Sequence, residues 1–206
     1  MYDFNAYVRL LTEFAQEDLS AFYFDIRKDS LYCDAVNDPK RRACRTVFDT
    51  LFHALVRYAA PVLCFTAEEI WQARFPSEDG SVHLLEWPEV EVEWLYPDSD
   101  EIWRVVRRYR ADVSNAIEPL RREKIVRSSL EASVKIPRPY PFQLEWLESI
   151  DLAEIFIVAD VTWNDDPNEQ VSVTRSDFHK CGRCWRLLPD VAEDGALCDR
   201  CEKVVA

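Results

Sequence analysis

The feature that most constrains this sequence is a pair of cysteine motifs near its end. Cys181 with Cys184, and Cys198 with Cys201, form two Cys-x-x-Cys motifs that are separated by thirteen residues. Each motif places two thiolates on one side of a tight turn, and two such knuckles complete a tetrahedral shell of four sulfur atoms. Because that shell leaves no position for a substrate or a water molecule, the spacing predicts one closed, structural zinc site.

Two other interpretations of the four cysteines are a pair of disulfides and four thiols without a ligand. The chain has seven cysteines, an odd number, and no hydrophobic leader precedes them. We therefore expect a cytoplasmic, reducing environment, in which cysteines bind metal or pack in the core. Zinc would allow a tail that is too small for its own core to fold.

The charge of the chain is strongly negative but unevenly distributed. The formal net charge is −13, which argues against a general affinity for nucleic acid. Nine acidic residues and no lysine or arginine lie between residues 76 and 101, whereas eight basic residues lie between 104 and 127. Because phosphate contacts depend on the local field, an acidic total does not exclude an RNA-binding face.

Apolar periodicity predicts helices over most of the first 127 residues. A stripe with helical spacing runs through residues 3–33, and a second helix is expected from Pro39, with Asp38 as its N-cap. Thr66 and Glu69 have the spacing of a capping box, which predicts a helix that begins after Thr66. Residues 97–127 read as a long helix that Pro119 kinks or interrupts.

The chain after residue 127 has a different pattern. Residues 129–136 alternate like a strand, and the apolar runs 155–161 and 171–174 also read as strands, with a short helix at 142–150 between them. The predicted fold class is therefore mainly α, in three parts. These parts are a helical bundle with a long following helix (1–127), a small α+β module (128–176) and a zinc-binding tail (177–206).

Several stretches resemble one enzyme family. The run from Ala60 to Trp71 resembles the anticodon-binding helical bundle of isoleucyl-, valyl- and leucyl-tRNA synthetases. Residues 22–29 and 124–132 are similar to the isoleucyl branch, although that branch usually has a glycine where Arg127 stands. Bacterial isoleucyl-tRNA synthetases similarly end with Cys-x-x-Cys-Trp, a loop and Cys-x-x-Cys, as this chain does from Cys181 to Cys201.

The resemblance implies the C-terminal portion of a class I, ATP-dependent isoleucine–tRNA ligase. Its implied partners are tRNA-Ile and the catalytic and editing domains of the same full-length enzyme, its cofactor is one structural zinc ion, and its compartment is the cytoplasm. The His-x-Gly-His and Lys-x-x-Lys elements with which such enzymes activate amino acids do not occur in this sequence. We therefore expect no catalytic residues here and no aminoacylation by this chain alone.

The predicted task is to bind the anticodon region of the tRNA, whose unpaired bases can stack on aromatic rings or guanidinium groups. Trp185 would alternatively cover the zinc sulfurs. The cluster of Asp25, Arg27, Lys28 and Asp29 would alternatively form a solvated surface of salt bridges. The candidate RNA-binding residues are Lys180, Arg183, Trp185 and Arg186 in the tail and Arg27, Lys28, Arg41, Arg42, Arg45 and Arg127 elsewhere.

Two other functions compete with this one. Some DNA-repair glycosylases end in a four-cysteine finger, but they use a proline and a glutamate at the N-terminus, and Met1 and Tyr2 offer neither. A protein-interaction scaffold would fit the acidic total, but the basic segments do not favour it.

Overall fold

The computed structural model describes residues 3–96, 99–138, 141–164, 166 and 169–206, with only the backbone of 141–144. The described chain is mainly helical, as predicted. It forms two compact units, one of Met1–Leu31 with Ala35–Leu95 and one of Tyr32–Asp34 with Tyr96–Ala206. In the described ranges, no helix combines the length and the apolarity that crossing a bilayer requires.

The first unit is built from helices. Helix α1 (Phe4–Glu13) continues through a π-helical stretch (Phe14–Phe24) into α2 (Asp25–Cys33), so the predicted helical region is present but is not one regular α-helix. Helix α3 (Pro39–Ala59) begins as predicted, because the Asp38 side chain accepts hydrogen bonds from the backbone N–H groups of Lys40 and Arg41.

Helix α4 (Cys64–Arg74) begins three residues before the predicted start, so the capping box at Thr66 is wrong. The Leu63 N–H bonds to the Ala59 carbonyl and the Ala67 N–H to the Leu63 carbonyl, which places Thr66 inside the first turn. Glu68, the residue before Glu69, makes hydrogen bonds that fix the start of this helix to another segment. Glu68 accepts from Ser81 Oγ at 2.7 Å and from the Val82 N–H at 2.9 Å, and thereby fastens the short 3₁₀ turn Val82–Leu84 to α4.

A packed layer of aromatic and aliphatic side chains joins α3 to α4. Val56, Ala60, Ala67 and Val82 form its buried part. Phe52 stacks on Trp71 with ring centroids 6.5 Å apart. Helices α3 and α4 are therefore held together by apolar packing as well as by their short connection.

The second unit contains a helix laid on a three-stranded sheet. Helix α5 (Ser99–Arg122) buries Val106, Val113 and Ile117. It runs through Pro119 and ends five residues before the predicted end at residue 127. The predicted start, Pro97, lies outside the described residues. Strand β1 (Ala132–Pro137) is central, parallel to β2 (Asp160–Asn164) and antiparallel to β3 (Ser172–Arg175).

Two predictions for this module needed correction. Residues Ser129–Glu131 form a 3₁₀ turn, so only the second part of the predicted strand 129–136 is extended. The apolar run 155–161 begins as helix α7 (Leu152–Phe156), not as a strand. Asp151 caps that helix through the Glu154 N–H, and Ile157 ends it in the left-handed conformation with φ 58°. The predicted helix at 142–150 is present as α6 (Pro141–Glu148).

Candidate zinc centre and RNA-binding surface

The four motif cysteines converge at the end of the second unit. Strands β4 (His179–Lys180) and β5 (Leu187–Leu188) pair as a short antiparallel hairpin, and its turn carries the first knuckle. The second knuckle opens helix α8 (Asp199–Val205), with Cys198 in the N-cap position. All four side chains are buried, and their Sγ atoms lie within 4.8 Å of one another.

The separations between these sulfur atoms fit a zinc ion. A tetrahedral ion with Zn–S bonds of about 2.3 Å needs sulfur atoms about 3.8 Å apart, and Cys184 Sγ lies 3.9 Å from Cys198 Sγ. That separation is far too long for a disulfide, and all seven cysteines are free, so the disulfide interpretation is excluded. The residues present fit one structural zinc site, and their all-sulfur donor set is closed to substrate.

Local hydrogen bonds support the cage. The Cys198 N–H donates to Cys181 Sγ at 3.4 Å. Burial alone would raise the pKa of the Cys181 thiol, but this bond and those from the Arg183 and Cys184 N–H groups lower it to about 6. Burial raises the pKa of Cys184 and of Cys198. A bound dication would keep all four in the thiolate form, which is the form that ligates it.

The loop between the knuckles is tied back onto the first one. The Gly182 N–H donates to the Ala196 carbonyl, and the Gly195 N–H donates to the Lys180 carbonyl, each at 2.9 Å. This approach requires glycine at 182, because a Cβ there would lie 2.4 Å from the Gly195 carbonyl oxygen. Asp194 accepts from the Lys180 N–H at 2.8 Å, and that bond lowers the pKa of the Asp194 carboxyl.

Trp185 is held outward beside the zinc centre. It follows the ligand Cys184 directly, and the residue is 62% exposed, so its ring does not form a buried lid over the sulfurs. Its φ is +65°, a left-handed conformation that costs a bulky residue about 1–2 kcal/mol. Lys180 Nζ lies 5.8 Å from the centre of its ring. A large ring in a strained, exposed position is a candidate for binding rather than for packing.

The two other tail cations are less available. The Arg183 guanidinium donates to the Cys33 carbonyl at 2.6 Å and to the Tyr32 carbonyl at 3.2 Å. The Arg186 side chain is only 15% exposed, and its Nη1 lies 3.9 Å from Asp151 Oδ2. Among the four tail candidates, the structure therefore presents Trp185 and Lys180 most openly.

The first unit presents its own basic cleft. Arg42 and Arg45 are exposed on α3 and line an open cleft of about 650 Å³. The cleft also contains an arginine that sequence reasoning missed, Arg74, whose guanidinium lies 4.3 Å from the centre of the Phe52 ring. Its position at the end of α4 is set by helix packing, so no local motif marks it.

The remaining candidates lie outside that cleft lining. Arg41 is partly buried, and Arg27 lies with its guanidinium carbon 5.9 Å from the centre of the Tyr23 ring. Lys28 pairs with Asp25 at 3.0 Å, as the salt-bridge alternative predicted for this cluster. Arg127, in the second unit, is exposed, and its backbone N–H donates to Glu131.

Comparison with known proteins places these features in a family. The family model described as the anticodon-binding domain of tRNA ligase matches residues 1–136. This chain belongs to that family. A second model, described as a zinc finger found in FPG and IleRS, matches residues 178–204, which include all four cysteines.

The curated relatives agree with the resemblance drawn from the sequence. The chain is 56% identical to an isoleucine–tRNA ligase of Zymomonas mobilis over 98% of its length. It is 46% identical to one of Gluconobacter oxydans over 94%, and 40% identical to one of Ruegeria pomeroyi over 98%. It spans about a fifth of the length of these relatives (21–22%).

Proposed function

We propose that this chain is the tRNA-binding, C-terminal part of an isoleucine–tRNA ligase and that it recognises the anticodon region of tRNA-Ile during aminoacylation. The observation that carries the proposal is the exposed ring of Trp185, which a zinc knuckle holds in place in a member of the anticodon-binding family. The alternatives, a repair glycosylase and a scaffold, are not favoured by the relatives.

The proposed division of labour follows what each residue presents. An extruded base would stack on Trp185, and Lys180 beside it would meet a phosphate. Arg42 and Arg45 would contact the RNA backbone from their cleft, with Arg41, Arg27, Lys28 and Arg127 as secondary backbone contacts. Arg183 and Arg186 remain candidates, but their existing contacts leave less of each guanidinium for RNA.

The domain assignment also belongs to the proposal. Residues 1–127 would grip the RNA strand, 128–176 would connect, and 177–206 would read unpaired bases. The partner domains would be the catalytic and editing domains of the same ligase, which would supply ATP-dependent isoleucine activation in the cytoplasm. The zinc ion, when bound, would fix the backbone from which Trp185 projects, and the chain's own residues would make the RNA contacts.

A titration tests the binding. The zinc-loaded chain is titrated with tRNA-Ile and with a non-cognate tRNA at two salt concentrations. We expect tighter binding of tRNA-Ile, weakened by salt because phosphate contacts release counterions. Trp185→Ala should weaken it. Trp94→Ala is the matched control and should not, because Trp94 is a similarly exposed tryptophan (58%) that is not among the candidate RNA contacts. Equal affinity for both tRNAs would contradict the anticodon assignment.

A second experiment separates RNA reading from chemistry. In a full-length ligase that carries this chain, Trp185→Ala should lower aminoacylation through the tRNA while ATP-dependent activation of isoleucine stays unchanged. Impaired activation with unchanged tRNA binding would contradict the proposed role.

A further inference from the structure

The two zinc knuckles carry an arginine at the same motif position. Arg183 precedes Cys184, and Arg200 precedes Cys201, so each is the last residue before the second ligand of its knuckle. Because the zinc ligands fix the backbone on either side, the metal also sets the direction in which both side chains leave the tail.

Both arginines reach the segment Tyr32–Asp34, which belongs to the same compact unit as the tail. Arg183 donates to the carbonyls of Tyr32 and Cys33, the last two residues of α2. Carbonyls at the end of a helix lack helical donors and carry its partial negative charge, so a guanidinium fork suits them. Arg200 Nη1 lies 3.0 Å from Oδ1 of Asp34, whose side chain is 8% exposed.

Arg183 also touches the metal cage itself. Its Nη1 lies 3.6 Å from Sγ of the ligand Cys201. Four thiolates around Zn²⁺ carry a net charge of about −2, and the cage is buried in an apolar cluster that includes Cys33 and Val191. A cation beside that charge lowers the cost of burying it.

We propose that Arg183 and Arg200 form a zinc-dependent latch that fastens the knuckles to Tyr32–Asp34, and that Arg183 is a positioning residue for RNA recognition. It holds the backbone that displays Trp185 two residues further on, and it stabilises the metal cage through Cys201. The latch stands on contacts within this chain; only its consequence for RNA rests on the proposed function.

Zinc release in the absence of RNA tests the latch. The zinc-loaded chain is mixed with a chromogenic zinc chelator, and the transfer rate is measured. Arg183→Ala should release zinc faster, in line with the roughly 10- to 100-fold loss of metal affinity that usually follows the removal of a group that supports metal ligands. Lys203→Ala, which removes an exposed cation of the same tail, is the matched control and should change little. Equal rates for the two variants would overturn the role of Arg183 at the cage.

The substitutions also separate charge from geometry. Arg183→Lys keeps the charge beside Cys201 but loses the fork that spans two carbonyls, so its zinc release should be intermediate. Arg200→Gln removes the ion pair with Asp34 but keeps Arg183 beside Cys201, so it should loosen the docking and change zinc release less than Arg183→Ala does.

Thiol labelling reports the docking separately. Cys33 and Cys44 are both buried, but only Cys33 lies in the latch, and the exposed Cys64 gives a reference rate. Arg183→Ala and Arg200→Gln should each speed alkylation of Cys33 several-fold and leave that of Cys44 unchanged. An unchanged rate at Cys33 in both variants would show that the arginines do not fasten this segment.

Measurements of tRNA binding distinguish a positioning role of Arg183 from a direct contact with RNA. A phosphate contact that is lost reduces the slope of log affinity against log salt by about one. Arg183→Ala should instead weaken tRNA-Ile binding with an unchanged slope. A lower slope together with unchanged zinc release would make Arg183 a phosphate ligand and end the proposal. If the wild-type chain did not bind tRNA while the latch readouts held, the proposed function would fail and the latch would stand.

Discussion

Replacing Trp185 with glycine and with alanine separates what its ring does from what its backbone costs. Both substitutions remove the ring, so both should weaken tRNA binding by the value of one stacked base. That value is about 1–3 kcal/mol, or roughly 5- to 150-fold in affinity. Trp185 is 62% exposed in the absence of RNA, so the loss of its ring should cost the fold little.

The two variants should differ in the stability of the tail. The φ of +65° at position 185 strains alanine almost as much as tryptophan, whereas glycine adopts it without penalty. We therefore expect Trp185→Gly to hold its zinc more firmly than Trp185→Ala by about 1 kcal/mol, reduced somewhat by the greater freedom of glycine in the unfolded chain.

Two measurements check this reasoning. The first is the urea concentration at which half of the zinc is released to a chelator, and the second is the affinity for tRNA-Ile. The expected pattern is equal loss of affinity with a higher urea midpoint for the glycine variant. A lower midpoint for glycine would refute the strain argument, and wild-type affinity in both variants would refute stacking on Trp185.

Three further predictions concern the tail and the bundle. Removing zinc with a chelator should unfold residues 177–206, because the buried cluster of this tail consists mainly of the zinc ligands. The sheet of β1, β2 and β3 should stay folded. Limited proteolysis checks this, with cleavage expected only after about residue 176. Gly182→Ala should weaken zinc retention more than Gly195→Ala. A Cβ at 182 would lie 2.4 Å from the Gly195 carbonyl oxygen, whereas a Cβ at 195 would meet nothing within 4 Å and would be strained only by the φ of +96°. Comparison of the urea midpoints for zinc release of the two variants tests this ranking. Hydrogen bonds from Gln72 and then Ser81 lower the pKa of Glu68, so its stabilising contribution is present at neutral pH and is lost as the pH falls through that lowered pKa. Glu68→Gln should therefore lower the unfolding midpoint of the first unit at about pH 7, and the difference from the wild type should shrink as the pH falls through the lowered pKa of Glu68.

Local chemistry explains which parts of the fold could be predicted. The start of α3 depends on Asp38 and the two N–H groups just after it, and the sequence shows all of these together. The start of α4 depends on the turn that leaves α3 at Ala59, so the capping motif at Thr66 was misleading. The run 155–161 is apolar throughout and cannot by itself distinguish a buried helix from a strand. The N-cap at Asp151 and the left-handed conformation of Ile157 make its first part a helix.

The candidate site likewise contains residues that the sequence could predict and residues that it could not. Cysteine spacing alone predicted the zinc cage, because the ligands must return to one point whatever the rest of the chain does. The position of Arg183 could not be predicted, because its carbonyl partners lie 150 and 151 residues away in sequence. Arg74 was missed for a similar reason, since its cleft forms only when α4 packs on α3.

The acidity of the chain bears on how it would bind RNA. With a net charge of −13, the long-range field repels a polyanion, so diffuse phosphate attraction cannot supply the affinity. Under the proposed function, binding would then depend on a few placed groups, namely the exposed Trp185 on a metal-fixed turn and a cleft with three exposed arginines. Such an arrangement would suppress non-specific association with other RNA, because a strand without a base to stack on Trp185 would gain little from the remaining contacts. A salt dependence set by these few phosphate contacts, combined with a large effect of Trp185→Ala, is the behaviour that this balance requires.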